Sequence, residues 1–419
     1  MRNSLIWWII LGIMILADVY VFFAIKSLFH ESSQRSRTIF TISYLTVSVS
    51  AVVILILLPY FNFPQKTNLI RSTIFALIAA LFFAKILALL FFLVDDLRRG
   101  VQWIAGKLFS MAGSEVGELS GAENGGISRS TFLTWMGIVA GGGLFGTFIN
   151  GLGNKYNYQI KRIKLAFDNL PPAFKGFKIV QISDIHSGSF SNKAAVNRGV
   201  DKILNENPDL ILFTGDLVNN QSDEMENYTD VFARLQAPFG VFSILGNHDY
   251  GDYLHWNSPE AKQANLEKLK SIHAQMNWRL MLDENLPIEK GGSTIGLIGV
   301  QNISGKSGFH TYGNLKKAME GAEKYPFTIL MSHDPSHWDK EVITNYAQID
   351  LTLSGHTHGM QFGVEVPGFR WSPVQYVYKR WAGLYIVKNQ KLYVNRGYGF
   401  IGYPGRVGIL PEITVIELT

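Results

Sequence analysis

The chain has 419 residues, room for two or three structural units, and it is 47% hydrophobic with only 17% charged residues. Its net charge of +5 comes without a basic helix or an aromatic-interleaved basic patch, so nothing in it marks a nucleic-acid surface. The absence of cysteine excludes disulfides, thiolate metal sites and cysteine nucleophiles.

The apolar excess sits at the front. Ser4–Ile25, Thr38–Phe61, Leu69–Val94 and Thr131–Leu152 are each long enough to cross the hydrocarbon core of a bilayer. Trp7, Trp8, Tyr60 and Trp135 lie near the ends of these runs, where interfacial aromatics belong. These features predict an all-α region of four transmembrane helices over residues 1–153, then a linker over 154–176. Lys85 falls inside the third run and Asp18 inside the first, which makes an intramembrane pair an expectation to test. Ala112–Arg129, rich in Gly, Ser and Glu, reads as a loop. Ser128-Arg129-Ser130-Thr131-Phe132-Leu133 is similar to a twin-arginine export signal with Ser in place of the second Arg.

Charge near the runs sets an expected orientation. Lys26, Arg35 and Arg37 follow the first run, and Arg98, Arg99, Lys107 and Arg129 follow the third; the opposite side has Arg2, Lys66 and Arg71. Seven against three places the first and third loops in the cytoplasm, and hence the remainder of the chain outside it.

From residue 177 onward, apolar runs alternate with amphipathic stretches, and Lys193–Asn205, Asn257–Gln275 and Asn314–Lys324 read as helices. The strand-rich stretch Trp371–Leu418 is expected to complete a second sheet. Five apolar runs, Lys178–Ser183, Leu210–Thr214, Val241–Leu245, Thr328–Met331 and Leu351–Ser354, read as buried strands. Each is followed by a short polar motif: Asp184-Ile185-His186, Gly215-Asp216-Leu217-Val218-Asn219, Gly246-Asn247-His248-Asp249, Ser332-His333 and Gly355-His356-Thr357-His358. Ligands of α/β sheets bind at the carboxyl ends of strands, so five such ends bring carboxylate, amide and imidazole groups to one rim. Oxygen and nitrogen donors of this kind suit divalent first-row metals. Gly215, Gly246 and Gly355 stand where the backbone must turn sharply close to the ions.

The motif order resembles that of the calcineurin-like metallophosphoesterases, from about Phe177 to the C-terminus. It looks most like a membrane-associated or exported bacterial branch ending in a Gly-rich stretch, here Asn395-Arg396-Gly397-Tyr398-Gly399, Pro404-Gly405-Arg406 and Pro411-Glu412-Ile413. The resemblance implies a four-layer α/β/β/α sandwich over 177–419 and two divalent ions, with Mn, Fe, Zn or Ni best suited. Asp184, His186 and His358 would hold one ion, Asn247, His333 and His356 the other, and Asp216 would bridge them. The activity implied is hydrolysis of phosphate mono- or diesters by metal-activated water, with bilayer and phosphoester as partners.

His248, next to Asn247 but outside the implied ligand set, is the candidate proton donor to the leaving group. Asn219 departs from the family version that carries a carboxylate to orient this His, which makes Asp249 a candidate substitute; capping the following turn is its alternative role. Arg406 and Arg396 are candidate substrate-phosphate donors. Two other readings stay open: a lipid-nucleotide pyrophosphatase similar to the UDP-diacylglucosamine hydrolases, which needs a cytoplasmic site, and a membrane sensor that uses the fold without turnover.

Overall fold

A computed structural model describes residues 5–60, 68–111 and 128–419. Arg2, Lys66 and nearly all of the Ala112–Arg129 loop lie outside the described residues. The chain divides into two compact units, Met1–Asn150 and Gly151–Thr419.

The first unit is helical: α1 (Leu5–Ser27), α2 (Gln34–Leu57), α3 (Asn68–Met111) and α4, which begins at Arg129 and runs to Gly153. All four are long and apolar enough to cross a membrane. Ser33 caps α2, its side chain accepting the Ser36 N–H. Helix α3 runs well past the predicted end at Val94. Asp95 and Asp96 meet Arg98 and Arg99 at i,i+3 and i,i+4 spacing, so the charged stretch stays helical instead of opening into a loop. Gly137 and Gly141 let α4 approach α3 closely; a Cβ at Gly141 would stand 2.6 Å from the Ala84 carbonyl oxygen. Lys85 and Asp18 do form an ion pair, and α2 joins it. Ser48 lies 2.8 Å from Lys85 and donates to Asp18 at 3.0 Å, and the Tyr44 hydroxyl donates to Asp18 at 2.9 Å.

The second unit carries two six-stranded sheets and a small hairpin. The first sheet orders β1 (Gln159–Leu165), β14 (Glu412–Leu418), β2 (Lys178–Ile182), β3 (Leu210–Phe213), β4 (Val241–Ser243) and β5 (Arg279–Leu280). The second orders β12 (Gly383–Val387), β13 (Gln390–Val394), β9 (Leu351–Ser354), β8 (Thr328–Met331), β7 (Ser293–Gly299) and β6 (Glu284–Lys290). Strands β10 (Val364–Val366) and β11 (Phe369–Trp371) form the hairpin.

Alternation along the strands builds the layers. Ile179, Leu210, Leu212 and Ile416 of the first sheet meet Leu297, Ile329, Leu351 and Leu353 of the second in the central core. The opposite face of the first sheet, with Val180, Ile182, Ile211 and Phe213, is covered by α5 (Lys193–Leu204) and α6 (Pro259–Gln275). The outer face of the second sheet is covered by short helical turns carrying Leu315, Ala318, Trp338 and Val342. This is the four-layer sandwich expected from the resemblance.

Three expectations need correction. Residues 154–176 are not a bare linker, because β1 lies within them and pairs in parallel with β14. The helix expected over Asn314–Lys324 is broken into Leu315–Ala318 and a turn at Ala322–Lys324, with Gly321 between them at φ +72°. The late strands do not all join the second sheet: β12 and β13 do, whereas β14 returns to the first.

Candidate metal centre

The five strand-end motifs converge as their positions predict. Strands β2, β3 and β4 deliver Asp184 and His186, Asp216, and Asn247 and His248; β8 and β9 deliver His333, and His356 and His358. The turns are tight. Asp184, His186, Asp216, His356 and His358 have φ between 48° and 72°, the left-handed region, where a non-glycine residue costs on the order of 1–3 kcal/mol. Five such residues at one rim mark a place where side-chain position outweighs backbone comfort. Two glycines clear the space: a Cβ at Gly355 would stand 2.2 Å from Asp184 Oδ2, and one at Gly246 the same distance from Asp216 Oδ1.

Two donor groups result, Asp184 with His186 and His358, and Asp216 with His333 and His356. In the first, the Nε2 atoms of His186 and His358 are 3.0 Å apart and His358 Nε2 is 3.2 Å from Asp184 Oδ1. In the second, His333 Nε2 is 3.1 Å from Asp216 Oδ2 and 3.2 Å from Asn247 Oδ1, and His356 Nδ1 is 2.8 Å from the same amide oxygen. Asp216 Oδ2 also lies 3.6 Å from His186 Nε2, so this one carboxylate reaches both groups.

The surrounding hydrogen bonds fix which atoms face inward. His333 Nδ1 donates to the Thr214 carbonyl at 2.7 Å, so Nε2 of the neutral ring is a lone pair. On the neutral ring that lone pair faces a carboxylate oxygen and an amide oxygen, three acceptors that call for positive charge, either a proton on Nε2 or a cation. Asn247 Nδ2 donates to Tyr253 Oη at 2.8 Å, which turns its oxygen toward the centre. The His356 N–H donates to the Asp184 carboxylate at 3.0 Å, and the ring's Nε2 meets Tyr378 Oη at 2.8 Å. An acceptor cluster of this kind is satisfied by a cation, and neutral imidazoles with ionised carboxylates are the forms that bind one. Electrostatics matches. Burial pulls His186, His356 and His358 below the usual histidine range. Burial alone would raise the carboxyls of Asp184 and Asp216, yet the facing histidines hold both down. His333 shows the demand for positive charge: burial lowers it, but the Asp216 carboxylate lifts it to about 10.

His248 stands beside these groups. Its ring meets His186 edge-on at 5.0 Å and Tyr253 at 4.6 Å between centroids. Its Nδ1 lies 2.7 Å from the Asn219 main-chain carbonyl, to which it donates. Asn219 therefore orients His248 through its backbone, while its side chain meets Ser189 Oγ at 3.1 Å. Asp249 does not substitute for a carboxylate partner. It is buried and accepts the N–H groups of Asp216, Leu217, Val218 and Gly246 at 2.8–3.2 Å, latching two motif loops together. Burial and the Asp216 charge lift its carboxyl to about 7.

The two arginines are turned inward, contrary to the expected substrate contact. Arg406 is fully buried; Nη1 donates to the carbonyls of Arg396 at 2.7 Å and His358 at 3.2 Å, and Nη2 to those of Gly397 and Gly399. Arg396 pairs with Glu412 and, at 2.6 Å, with Glu365. Both clamp the Gly-rich tail, whose Tyr398 and Gly399 N–H groups donate to Ser183 and Asp184 carbonyls at 2.7 and 2.8 Å. The sequence motifs do not include Tyr253, Tyr378 or Asp334, whose carboxylate comes within 3.9 Å of His356 Nε2; Asp334 directly follows His333 and Tyr253 lies shortly after Asp249, whereas no spacing connects Tyr378 to the motifs.

Comparison with known proteins adds to this geometry. Residues 1–154 match the family described as "Probable Calcineurin-like phosphoesterase, transmembrane domain", and residues 177–360 match "Calcineurin-like phosphoesterase". The Bacillus subtilis metallophosphoesterase YkuE is 32% identical over 59% of this chain and 81% of its own length. A zebrafish (Danio rerio) "Transmembrane protein with metallophosphoesterase domain" is 28% identical over 62% of this chain, and the match spans 57% of that relative's length. A Campylobacter jejuni metallophosphoesterase is 25% identical over 62% of this chain and 63% of its own. The strand-end motifs, the two donor groups, the four apolar helices and these matches together make the chain a membrane member of the calcineurin-like metallophosphoesterase family.

Proposed function

We propose that the centre holds two divalent cations and hydrolyses phosphate mono- or diesters. Asp184, His186 and His358 would hold one ion, Asn247, His333 and His356 the other, with Asp216 shared. The observation that carries this reading is the convergence of two carboxylate–imidazole groups on Asp216, whose Oδ2 lies 3.1 Å from His333 Nε2 and 3.6 Å from His186 Nε2. Mixed carboxylate, amide and imidazole ligation suits Mn, Fe, Zn or Ni. Two such ions, when bound, supply Lewis-acid stabilisation of phosphoryl oxygens and lower the pKa of a water.

The protein's own groups do the rest. The Asn219 carbonyl fixes the His248 Nδ1–H and leaves Nε2 to carry a proton to the departing oxygen. The Asp249 latch keeps the loops of Asp216 and Asn247 in register. Arg406 holds the tail against His358 by gripping its carbonyl. The loop-charge bias supports an extracytoplasmic position for this unit.

The test is metal removal. Chelation should abolish hydrolysis of p-nitrophenyl phosphate and its bis ester, and Mn²⁺ should restore it. Metal analysis of the reconstituted full chain should find two ions per chain. Full activity after thorough stripping, or saturation at a single ion, overturns the reading.

A further inference from the structure

Between the two site residues His358 and Tyr378 the chain makes an excursion that turns its apolar side outward. Strands β10 and β11 pair Val364 with Trp371, Glu365 with Arg370 and Val366 with Phe369 around a Pro367-Gly368 turn, Gly368 having φ +79°. Opposite residues of a two-stranded ribbon share a face. Glu365 and Arg370 therefore occupy one face, and it is the inward one: Glu365 pairs with Arg396, and the Arg370 guanidinium lies 5.1 Å from the centre of the Trp381 ring. Val364, Val366 and Phe369 point the other way, 46%, 53% and 57% exposed, and Tyr376 adds a ring 77% exposed. A hairpin on a water-facing surface buries its apolar face and exposes its charges. This one does the reverse.

We propose that the outward face of this hairpin rests in the interfacial layer of a lipid bilayer, and that the adjacent metal centre acts on phosphoesters carried by lipids. The occupant is identified by three features. The same chain carries four apolar helices long enough to span a membrane, so a bilayer is permanently close by. Within the second unit, Gly151 is where α4 hands over the chain, and its carbonyl accepts the Arg406 N–H at 2.9 Å. Val407 then donates to the Gln361 carbonyl at 2.8 Å and accepts the Gly363 N–H at 2.9 Å, so the hairpin's base is tied to the residue next to that exit. The exposed set also mixes Val with Phe and Tyr, the amphipathic and apolar residues that seat at headgroup level. The excursion starts at His358 and returns to Tyr378, which contacts His356 at 2.8 Å, so whatever the hairpin rests on borders the centre.

The substrate half of the proposal rests on the hydrolase reading above. In that step the oxygen of water bonds to phosphorus, the bond from phosphorus to the lipid oxygen breaks, and the proton ends on the lipid oxygen.

The chain has no cysteine, so a single one at Pro367, in the hairpin's turn, can carry an environment-sensitive fluorophore, with Asn389 in the β12–β13 turn as the comparison site. The full chain is reconstituted in vesicles of phosphatidylcholine and phosphatidylglycerol containing phosphatidic acid, with and without headgroup-proximal nitroxide lipid. Nitroxide should quench the probe at 367 and leave that at 389 bright, and Val366→Asp with Phe369→Asp should abolish the quenching without changing the bound metal. No quenching at 367, or a signal there that follows protein-to-lipid ratio and ignores nitroxide, overturns the membrane contact; the second result assigns the face to another copy of the chain. In the same vesicles the double substitution should lower turnover of phosphatidic acid relative to p-nitrophenyl phosphate by roughly tenfold. Hydrolysis of p-nitrophenyl phosphate with none of phosphatidic acid or phosphatidylglycerol overturns the lipid substrate. Hydrolysis of no ester by metal-loaded protein overturns the hydrolase reading itself, and the quenching then decides the membrane contact alone.

Discussion

Asp216 touches both donor groups and also accepts the His248 N–H at 2.9 Å, so one carboxylate ties three motifs together. Asp216→Asn removes the charge shared by the two groups and should cost more turnover than any other single change at the centre, with lost metal measured alongside. His248→Ala should keep its metal and lower turnover by roughly 10²–10⁴, as expected for loss of a positioned acid. The deficit should shrink with p-nitrophenolate as leaving group, which needs little protonation; loss of metal from this variant would instead make His248 part of the cation site. Asp249→Asn presents an amide N–H to a pocket of four backbone donors. It should lower the thermal midpoint by an amount matching about 1–3 kcal/mol for each buried group left without a partner. Asn219, by contrast, acts on His248 through its carbonyl, so Asn219→Ala should leave the pH–rate profile unchanged. A backbone role can be filled by any residue type, which is why the sequence pointed to the wrong atoms of Asn219 while identifying its place.

At the scale of elements, what could be read was local and what could not was distant. A buried strand followed by a Gly, Asp or His turn is written in consecutive residues, and β8 and β9 start and stop where the apolar runs do. Strand β1 escaped because its Arg162 and Lys164 pair outward with Glu206 and Glu417, partners far along the chain, and so look like juxtamembrane charge. Tyr378 reaches the centre only through tertiary folding, 22 residues beyond the His356 it contacts. The same applies to the role of His273 on α6. It is buried, its Nδ1 lies 2.9 Å from Ser243 Oγ, and burial pulls its pKa down to about 3. The unfolded chain binds this proton below about pH 6.5 and the folded one does not, so folding stability is present above that pH and is lost as pH falls toward 3. The slope approaches about 1.4 kcal/mol per pH unit, and His273→Leu should flatten this part of the pH dependence of the thermal midpoint. In the membrane helices, Lys85→Met leaves Asp18 without its counter-charge and should destabilise by about 3–5 kcal/mol, whereas Asp18→Leu combined with Lys85→Met should recover most of the loss. Denaturation of the reconstituted protein measures the cycle.

At the scale of the whole molecule, the number of spans and the distribution of charge decide which compartment the metal centre serves. Helix α3 has 44 residues, about 66 Å at the usual rise, against a hydrocarbon core of about 30 Å. Its basic residues Arg98, Arg99 and Lys107 thus belong to a helical extension beyond the span, still on the side reached after the third crossing. They continue to count with Lys26, Arg35 and Arg37 toward a cytoplasmic face for the first and third loops. Lys155, Lys161, Arg162 and Lys164 follow α4 on the opposite side, but large domains translocate largely regardless of such charge. Arg162 and Lys164 are also paired within the second unit. With four crossings, the charge bias predicts a catalytic unit outside the cytoplasm. Single cysteines at Glu31, in the first loop, and at Ser271, exposed on α6, provide the check with a membrane-impermeant maleimide on intact cells or spheroplasts. Labelling at 271 and not at 31 is the expected pattern and directs the substrate search to envelope or extracellular phosphoesters. Labelling at 31 and not at 271 reverses the orientation, places the ions in the cytoplasm, and gives the lipid-nucleotide pyrophosphatase reading the topology it requires.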